Sequence, residues 1–142
     1  MKRLLTGLLV VFILNGCSTE QPKIEFGKDQ CGLCKMTIMD KKFGALVANS
    51  KGKTIRFDSG ECMVNFLRSD KNFESAKLLI INYNKPEVLI EADKAFYLKG
   101  GKVNSPMGGQ LAAFETREEA EAVQQNLEGD IILWDKLVGL KF

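Results

Sequence analysis

The sequence contains no histidine among its 142 residues, and this absence removes several kinds of site. A cysteine or serine nucleophile usually depends on a histidine base, and no Gly-rich phosphate loop, paired-carboxylate motif or serine triad is evident instead. A structural zinc site needs four ligands, and neither a histidine nor a second CxxC motif is present to complete one. These absences favour a binding protein over an enzyme.

A large excess of charge of either sign is also absent. The chain has 20 Lys and Arg residues against 18 Asp and Glu residues, and its net charge of +2 includes Lys2 and Arg3 at the N-terminus. The rest of the chain is therefore close to neutral, with scattered lysines. Such a composition gives no indication of nucleic-acid binding.

The apolar run at the N-terminus, residues 4–14, is too short to span a bilayer and is typical of a signal peptide. Leu14-Asn15-Gly16-Cys17 resembles a bacterial lipobox, which predicts cleavage before Cys17 and acylation of that cysteine, including palmitate. Cleavage nearby as an ordinary secretory signal is the alternative. We expect a lipoprotein signal peptide over 1–16, lipidated Cys17 and a polar tether over 17–30, and a folded domain over 31–142, anchored to a membrane outside the cytoplasm.

Sulfur is the donor that this chain offers to a metal. Lipidation of Cys17 leaves three thiols, an odd number that cannot all pair internally. Cys31 and Cys34 form a CxxC motif, and Met36 follows two residues later. Thiolates and thioethers select Cu(I), whereas hard cations take oxygen ligands. Because Cu(I) accepts two or three such donors, the segment predicts a Cu(I) site.

Other interpretations of the same sulfurs remain open. Cys31 and Cys34 could cycle between dithiol and disulfide in an extracytoplasmic thiol redox protein that supports metalloprotein assembly, although no thioredoxin-like strand-helix-strand pattern surrounds them. They could also form an inert disulfide in a structural lipoprotein. Cys62 and Met39 can each be explained as buried filler, as can Met63.

Alternating and apolar segments predict the elements of the folded domain. One helix should begin at Asp58, which with Glu61 approximates a capping box, and end near Arg68. A second should begin at Thr116 and stop at Gly129. Strands are expected at 43–49, 54–57, 77–83, 88–90, 95–99, 110–114 and 131–134.

The two predicted helix starts share the order aromatic, acid, hydroxyl, any residue, acid. The first reads Phe57-Asp58-Ser59-Gly60-Glu61 and the second Phe114-Glu115-Thr116-Arg117-Glu118. Two ordinary helix caps are the simpler explanation, but each follows strand-like residues and precedes an amphipathic helix. We predict an α+β fold of two small related lobes, at about 31–75 and 76–142, built on a duplicated strand-strand-helix unit.

Taken together, several segments resemble the NosL family, the nitrous oxide reductase accessory lipoproteins regarded as copper chaperones. The most specific are the Cys-x-Met element and a Ser-Pro-Met-Gly turn, in the right order and at the right distance. The resemblance runs from about Gln30 to Leu137 and implies two related α+β lobes, similar to a part of organomercurial lyase. The matching segments are Cys31-x-x-Cys34-x-Met36, Phe43 to Asn49, Phe57-Asp58, Ala95-Phe96-Tyr97-Leu98, Ser105-Pro106-Met107-Gly108, Phe114, Ala120 and Gly129 to Asp135.

The resemblance also implies a function and a set of ligands. It implies a membrane-anchored protein that delivers Cu(I) to nitrous oxide reductase or to its copper-centre assembly apparatus. By position, Cys34 and Met36 match the family's Cys-Gly-Met element, with Lys35 in place of the glycine, so we expect a restricted backbone there. Some members use histidine as a further ligand, which this chain lacks. The resemblance therefore leaves other sulfurs as further donors: Cys31 first, then Met107, with Met39 and Cys62 as weaker candidates.

Overall fold

The computed structural model describes residues 22–73 and 76–142, and the first of its two sheets is built from residues 45–91. Strand β1 (Ala45–Ala48) pairs antiparallel with β2 (Thr54–Phe57) and with β3 (Lys77–Ile81), and β4 (Leu89–Glu91) extends the sheet beyond β3. Helix α1 (Gly60–Ser69) and a short 3₁₀ helix (Lys71–Phe73) lie between β2 and β3 in the chain.

The second sheet repeats this arrangement. Strand β5 (Phe96–Lys99) lies between β6 (Leu111–Phe114) and β7 (Asp130–Leu133), and helix α2 (Arg117–Leu127) connects β6 to β7. Helix α3 (Trp134–Gly139) follows. In both sheets the first strand of the repeat is central, and its neighbours are the second strand and the strand after the helix. The α+β fold of two related lobes is confirmed, and the repeated unit contains one more strand than the predicted strand-strand-helix.

The boundaries of the lobes differ from the expected ones. Strands β3 and β4 pair with the first sheet, so the sheets separate between Glu91 and Phe96 rather than near residue 75. Ordered structure also begins before residue 31, since Ile24 is buried and Arg56 Nε donates to the Lys23 carbonyl at 2.8 Å. The expected signal peptide and Cys17 lie outside the described residues.

The two helix starts are built alike, from a buried aromatic followed by a hydroxyl cap. Phe57 and Phe114 end β2 and β6 and are fully buried. Ser59 Oγ then accepts from the Cys62 amide at 3.4 Å, and Thr116 Oγ1 accepts from the Glu119 amide at 3.2 Å. Thr116 was predicted correctly. The prediction that Asp58 caps α1 is wrong, and its carboxylate is thereby free for other contacts.

The lobes meet at the start of α1. A side chain at Gly60 would lie 2.9 Å from Ile80 Cδ1 and 3.1 Å from Leu111 Cδ2, so glycine permits this close approach. Buried Ser105 donates to Glu61 Oε1, which is also buried. This bond holds the Ser-Pro-Met-Gly turn of the second lobe against the first lobe. No helix within residues 22–73 and 76–142 is long and apolar enough to cross a membrane.

Candidate metal centre

The CxxC segment is a tight loop fastened to β2. The Cys31 amide donates to the Met36 carbonyl at 2.8 Å, and the Gly32 amide donates to the Arg56 carbonyl at 2.7 Å. A Cβ on Gly32 would collide with Ile55 Cγ2, so glycine is needed for this approach. The loop thus carries both thiols to the end of β2, where α1 begins.

Lys35 occupies the position that is glycine in the family element, and its backbone explains why glycine suits it. Its φ is +66°, in the left-handed region that costs an L-residue about 1–2 kcal/mol. The strain is partly offset, because the Lys35 amide donates to the Cys31 carbonyl at 3.1 Å and Lys35 Nζ donates to the Gly32 carbonyl at 2.8 Å.

Three thiols and a carboxylate converge beside this loop. The sulfurs of Cys31, Cys34 and Cys62 and a carboxylate oxygen of Asp58 all lie within 4.8 Å of one another. All three cysteines are free. Cys31 and Cys62 are each 1% exposed, while Cys34 is partly exposed. We call these four residues the thiol cluster.

Asp58 is the member of the thiol cluster that sequence reasoning did not identify as a ligand. Its side chain is 3% exposed, its Oδ2 accepts from Cys34 Sγ at 3.6 Å, and its Oδ1 has no hydrogen-bond partner among the described residues. An unpartnered carboxylate oxygen is costly to bury. Its place directly after β2, in a Phe57-Asp58 pair shared with the resembled family, was the available signal.

The thiols of the cluster are electrostatically unequal. A hydrogen bond from the Cys62 thiol lowers the pKa of Cys31 to about 6; burial opposes this shift, and the backbones of Asp58, Cys34 and Leu33 assist it. The donated bond and burial raise the pKa of Cys62, and burial raises that of Cys34. Cys31 is therefore the cysteine of the metal-free cluster that loses its proton first.

This pattern does not suit a thiol redox centre. A reactive cysteine of that kind is a thiolate that solvent and partner disulfides can reach. Here the low-pKa thiol is the buried Cys31, whereas the pKa of the accessible Cys34 is raised. A partner disulfide would therefore meet the thiol whose pKa is raised before the one whose pKa is lowered.

A groove leads to the thiol cluster. A cavity of about 380 Å³ is lined by Met36, Met39 and Asp58 together with Thr37, Asp40, Asn104, Ser105 and Pro106. Met36 is 56% exposed. The two thioethers therefore lie along an accessible route that has a cluster carboxylate in its wall. Met107 is also exposed and follows Pro106, which lines the groove from the second lobe together with Asn104 and Ser105.

The predicted sulfur ligands thus divide into groups. Cys31, Cys34 and Cys62 are brought together, and the last of these was ranked only as a weaker candidate. Met36 and Met39 line the groove beside them, and Met107 lies on the neighbouring turn. The predicted Cu(I) ligand set stays a prediction, to which the structure adds a carboxylate.

Comparison with known proteins places the chain. The family model for NosL matches residues 23–138. The chain belongs to the NosL family. The resemblance drawn from the Cys-x-Met and Ser-Pro-Met-Gly elements is thereby confirmed.

Two NosL proteins illustrate the likeness. The copper-binding lipoprotein NosL of Stutzerimonas stutzeri is 26% identical over 148 residues, covering 94% of this chain and 78% of that protein. The crystal structure of the copper chaperone NosL from Shewanella denitrificans matches with a TM-score of 0.69 and 22% identity, covering 82% of this chain and 94% of that one. The second comparison shows that the two-lobed architecture is the NosL fold.

Proposed function

We propose that this NosL-family protein binds one Cu(I) at the thiol cluster and passes it on as cargo. The observation that carries the proposal is the convergence of three free cysteine sulfurs within 4.8 Å. Soft sulfur donors at low coordination number suit Cu(I), and a relative of this chain is described as a copper-binding lipoprotein. Cys31, Cys34 and Met36 are the primary ligands, and Cys62 is added to them.

Delivery by ligand exchange fits the accessibility of these groups. Cys31 and Cys62 are buried, whereas Cys34 is partly exposed and Met36 lines the open groove. An acceptor can then displace the thioether and the outer thiolate first, while the buried sulfurs still hold the ion. The copper moves stepwise between ligand sets, and no covalent catalysis is required.

The proposed setting is the outer side of a membrane. The lipobox-like Leu14-Asn15-Gly16-Cys17 supports acylation of Cys17, and the Stutzerimonas stutzeri relative is described as a lipoprotein. The acceptor we propose is nitrous oxide reductase or its copper-centre assembly apparatus. The likeness of the chain to the NosL family supports this choice.

Anaerobic titration of the reduced domain from Ser18 to Phe142 against a chromophoric Cu(I) chelator tests the binding step. We expect one equivalent to bind tightly, and Cys34→Ser and Met36→Ala each to weaken it. Leu133→Ala is the matched control for the methionine change, because Leu133 is an exposed apolar residue of β7. Transfer is tested by mixing the loaded domain with apo nitrous oxide reductase and measuring copper in each protein after separation.

The same samples discriminate against redox function. If the domain does not compete with the chelator for Cu(I), tight copper binding is excluded. A second outcome is that Met36→Ala leaves Cu(I) affinity unchanged while Cys31 and Cys34 form a disulfide that a small dithiol readily exchanges. In that case the thiol redox interpretation replaces copper delivery. A lower melting temperature in reductant with no response to copper would indicate an inert disulfide.

A further inference from the structure

The methionines of the described residues divide by exposure. Met36 is 56% exposed, Met39 68% and Met107 44%, whereas Met63 in α1 is completely buried. The three exposed thioethers lie in one region, because Met36 and Met39 line the groove that leads to the thiol cluster and Met107 follows Pro106, another lining residue. Among the described residues, a small reagent in solution therefore meets thioethers at this groove.

The thiols behind the groove are better shielded than these thioethers. Cys31 and Cys62 are each 1% exposed, and Cys34 is only partly exposed. The susceptibility of sulfur to oxidants follows solvent exposure as well as thiolate character. The fold thus presents its most exposed sulfurs, those of Met36 and Met39, to an oxidant that enters from solvent.

Hydrogen peroxide converts a thioether into a sulfoxide by transfer of one oxygen atom. The sulfur lone pair attacks one peroxide oxygen, the O–O bond breaks, a proton passes to the departing oxygen, and water leaves. The sulfur loses two electrons, and the peroxide takes them up. A sulfoxide is polar and presents a hard oxygen, so it no longer suits Cu(I), which selects soft sulfur. Oxidation of Met36 would therefore remove a proposed copper ligand.

The groove can hold a sulfoxide without disturbing the core. Met36 and Met39 line a cavity of about 380 Å³ rather than the packed interior. Thr37 and Asn104 also line it, and their hydroxyl and amide groups are of the types that donate to a sulfoxide oxygen. A polar oxygen on the buried Met63 would instead disrupt the interior. Oxidation at the groove can thus change copper binding while the fold persists.

We propose that Met36 and Met39 are a reversible modification site, at which hydrogen peroxide forms methionine sulfoxide and stops the protein from loading Cu(I). The proposal rests on the proposed function, because Met36 is one of the proposed copper ligands. Reversal requires a methionine sulfoxide reductase, with which two thiols become a disulfide and the sulfoxide oxygen leaves as water. The modification couples copper loading to the peroxide level around the protein.

Site-resolved oxidation tests where the oxygen enters. The reduced, metal-free full chain in detergent, with Cys17→Ser, is exposed to isotopically labelled hydrogen peroxide and quenched with catalase. Dithiothreitol then reverses disulfides and sulfenic acids but not sulfoxides, and the chain is digested for peptide mass analysis. We expect labelled oxygen on Met36 and Met39 at rates at least about tenfold above that of the buried internal control, Met63. Equal oxidation of Met63, or an unmodified Met36, would overturn the proposal.

Chelator competition on the same oxidised chain tests the effect on copper. After dithiothreitol has restored the thiols, the Cu(I) affinity should be lower by more than about tenfold. It should return when methionine sulfoxide reductases A and B act with a dithiol. A chain that carries both Met36→Leu and Met39→Leu is the matched control, and peroxide should not lower its affinity further. A fall as large as in the parent chain would assign the effect to the thiols and contradict the proposal.

Urea unfolding of the oxidised chain separates modification from damage. The two thioethers are exposed, so the urea midpoint should stay unchanged. A midpoint that falls together with the copper affinity would assign the loss to unfolding and contradict the proposal. The two proposals fail separately. Tight Cu(I) binding that oxidation does not alter leaves copper delivery intact and removes the modification site. Selective, reversible oxidation of a chain that does not bind Cu(I) removes copper delivery instead.

Discussion

The starts of α1 and α2 occupy equivalent positions in the two repeats but carry different kinds of side chains. Asp58 and Cys62 at the first correspond to Glu115 and Glu119 at the second. The first pair meets the CxxC thiols within 4.8 Å. At the second, Lys85 Nζ lies 3.1 Å from Glu115 Oε2 and 3.0 Å from Glu119 Oε1. One helix start is a buried sulfur cluster and the other is an ion pair open to water.

The second helix start shows what the fold itself requires. Exposed ion pairs contribute little to stability, so the repeat closes there with ordinary surface groups. The first helix start instead buries the thiols of Cys31 and Cys62 and a carboxylate oxygen of Asp58 that has no hydrogen-bond partner among the described residues, which costs free energy. Because the same architecture forms without such a cluster, the thiols serve chemistry rather than folding.

Exchanging equivalent residues should separate these roles, with the largest effect in the first lobe. Cys62→Ser should lower Cu(I) affinity by more than about tenfold, because it removes a buried sulfur from the cluster. Its counterpart Glu119→Gln should leave Cu(I) affinity unchanged. Chelator competition measures the Cu(I) affinity of both variants. Equal losses of affinity would show that copper binding is not confined to the first lobe.

The comparison also shows why sequence reasoning reached part of the site. The paired helix starts and the CxxC motif lie in contiguous segments, so local patterns sufficed to predict the duplication and two of the thiols. Cys62 was ranked low because buried cysteines are common, and only a long-range contact brings it to Cys31.

Asp58 and the lobe boundary were missed for different physical reasons. Asp58 and Ser59 are adjacent and equally good caps, so propensity could not decide which one begins α1. The lobe boundary was predicted in the wrong place because β3 is an apolar run, and its sequence gives no local indication of the strand with which it pairs. Its pairing with β1, Ile80 opposite Ala45, is a tertiary choice.

The titration of the first lobe should reveal one thiolate well before the others. The pKa of Cys31 is lower in the folded chain, so its ionisation contributes stability that is complete above the unfolded value of 9.0 and is lost as pH falls through about 6. The raised pKa values of Cys34 and Cys62 act in the opposite sense in alkali.

Thiolate absorbance of the reduced, metal-free chain measures this titration. With Cys17→Ser present, only the first lobe contributes, and we expect one thiolate per chain at pH 7. Cys31→Ser should abolish the step near pH 6. Three thiols that ionise together in alkali would contradict the described asymmetry.

Removal of the two caps should cost similar stability but differ in its effect on copper. Ser59→Ala and Thr116→Ala should each lower the free energy of unfolding by about 1 kcal/mol. Ser59 Oγ accepts from the amide of Cys62, so Ser59→Ala should also weaken Cu(I) binding, whereas Thr116→Ala should not. Urea unfolding measures the stability of the two variants, and chelator competition measures their Cu(I) affinity. A lower Cu(I) affinity in Thr116→Ala would contradict the expected difference between the two caps.

The smallest expected effect is at Lys35, in the loop that serves only the first lobe's helix start. Lys35→Gly relieves the left-handed backbone but adds chain entropy and loses the bond to the Gly32 carbonyl, for a net gain of roughly 0.5 kcal/mol. Lys35→Ala keeps the strain and loses the bond, so it should destabilise. The urea midpoints of the two variants should therefore move in opposite directions.

The most direct test of the central claim is copper X-ray absorption of the Cu(I)-loaded chain, with Cys17→Ser, beside the same chain carrying Cys62→Ser. If the thiol cluster binds the copper, the parent shows an all-sulfur first shell, and Cys62→Ser loses a sulfur from it. A shell dominated by oxygen or nitrogen, or an identical sulfur shell in both proteins, would contradict the assignment of copper to this cluster.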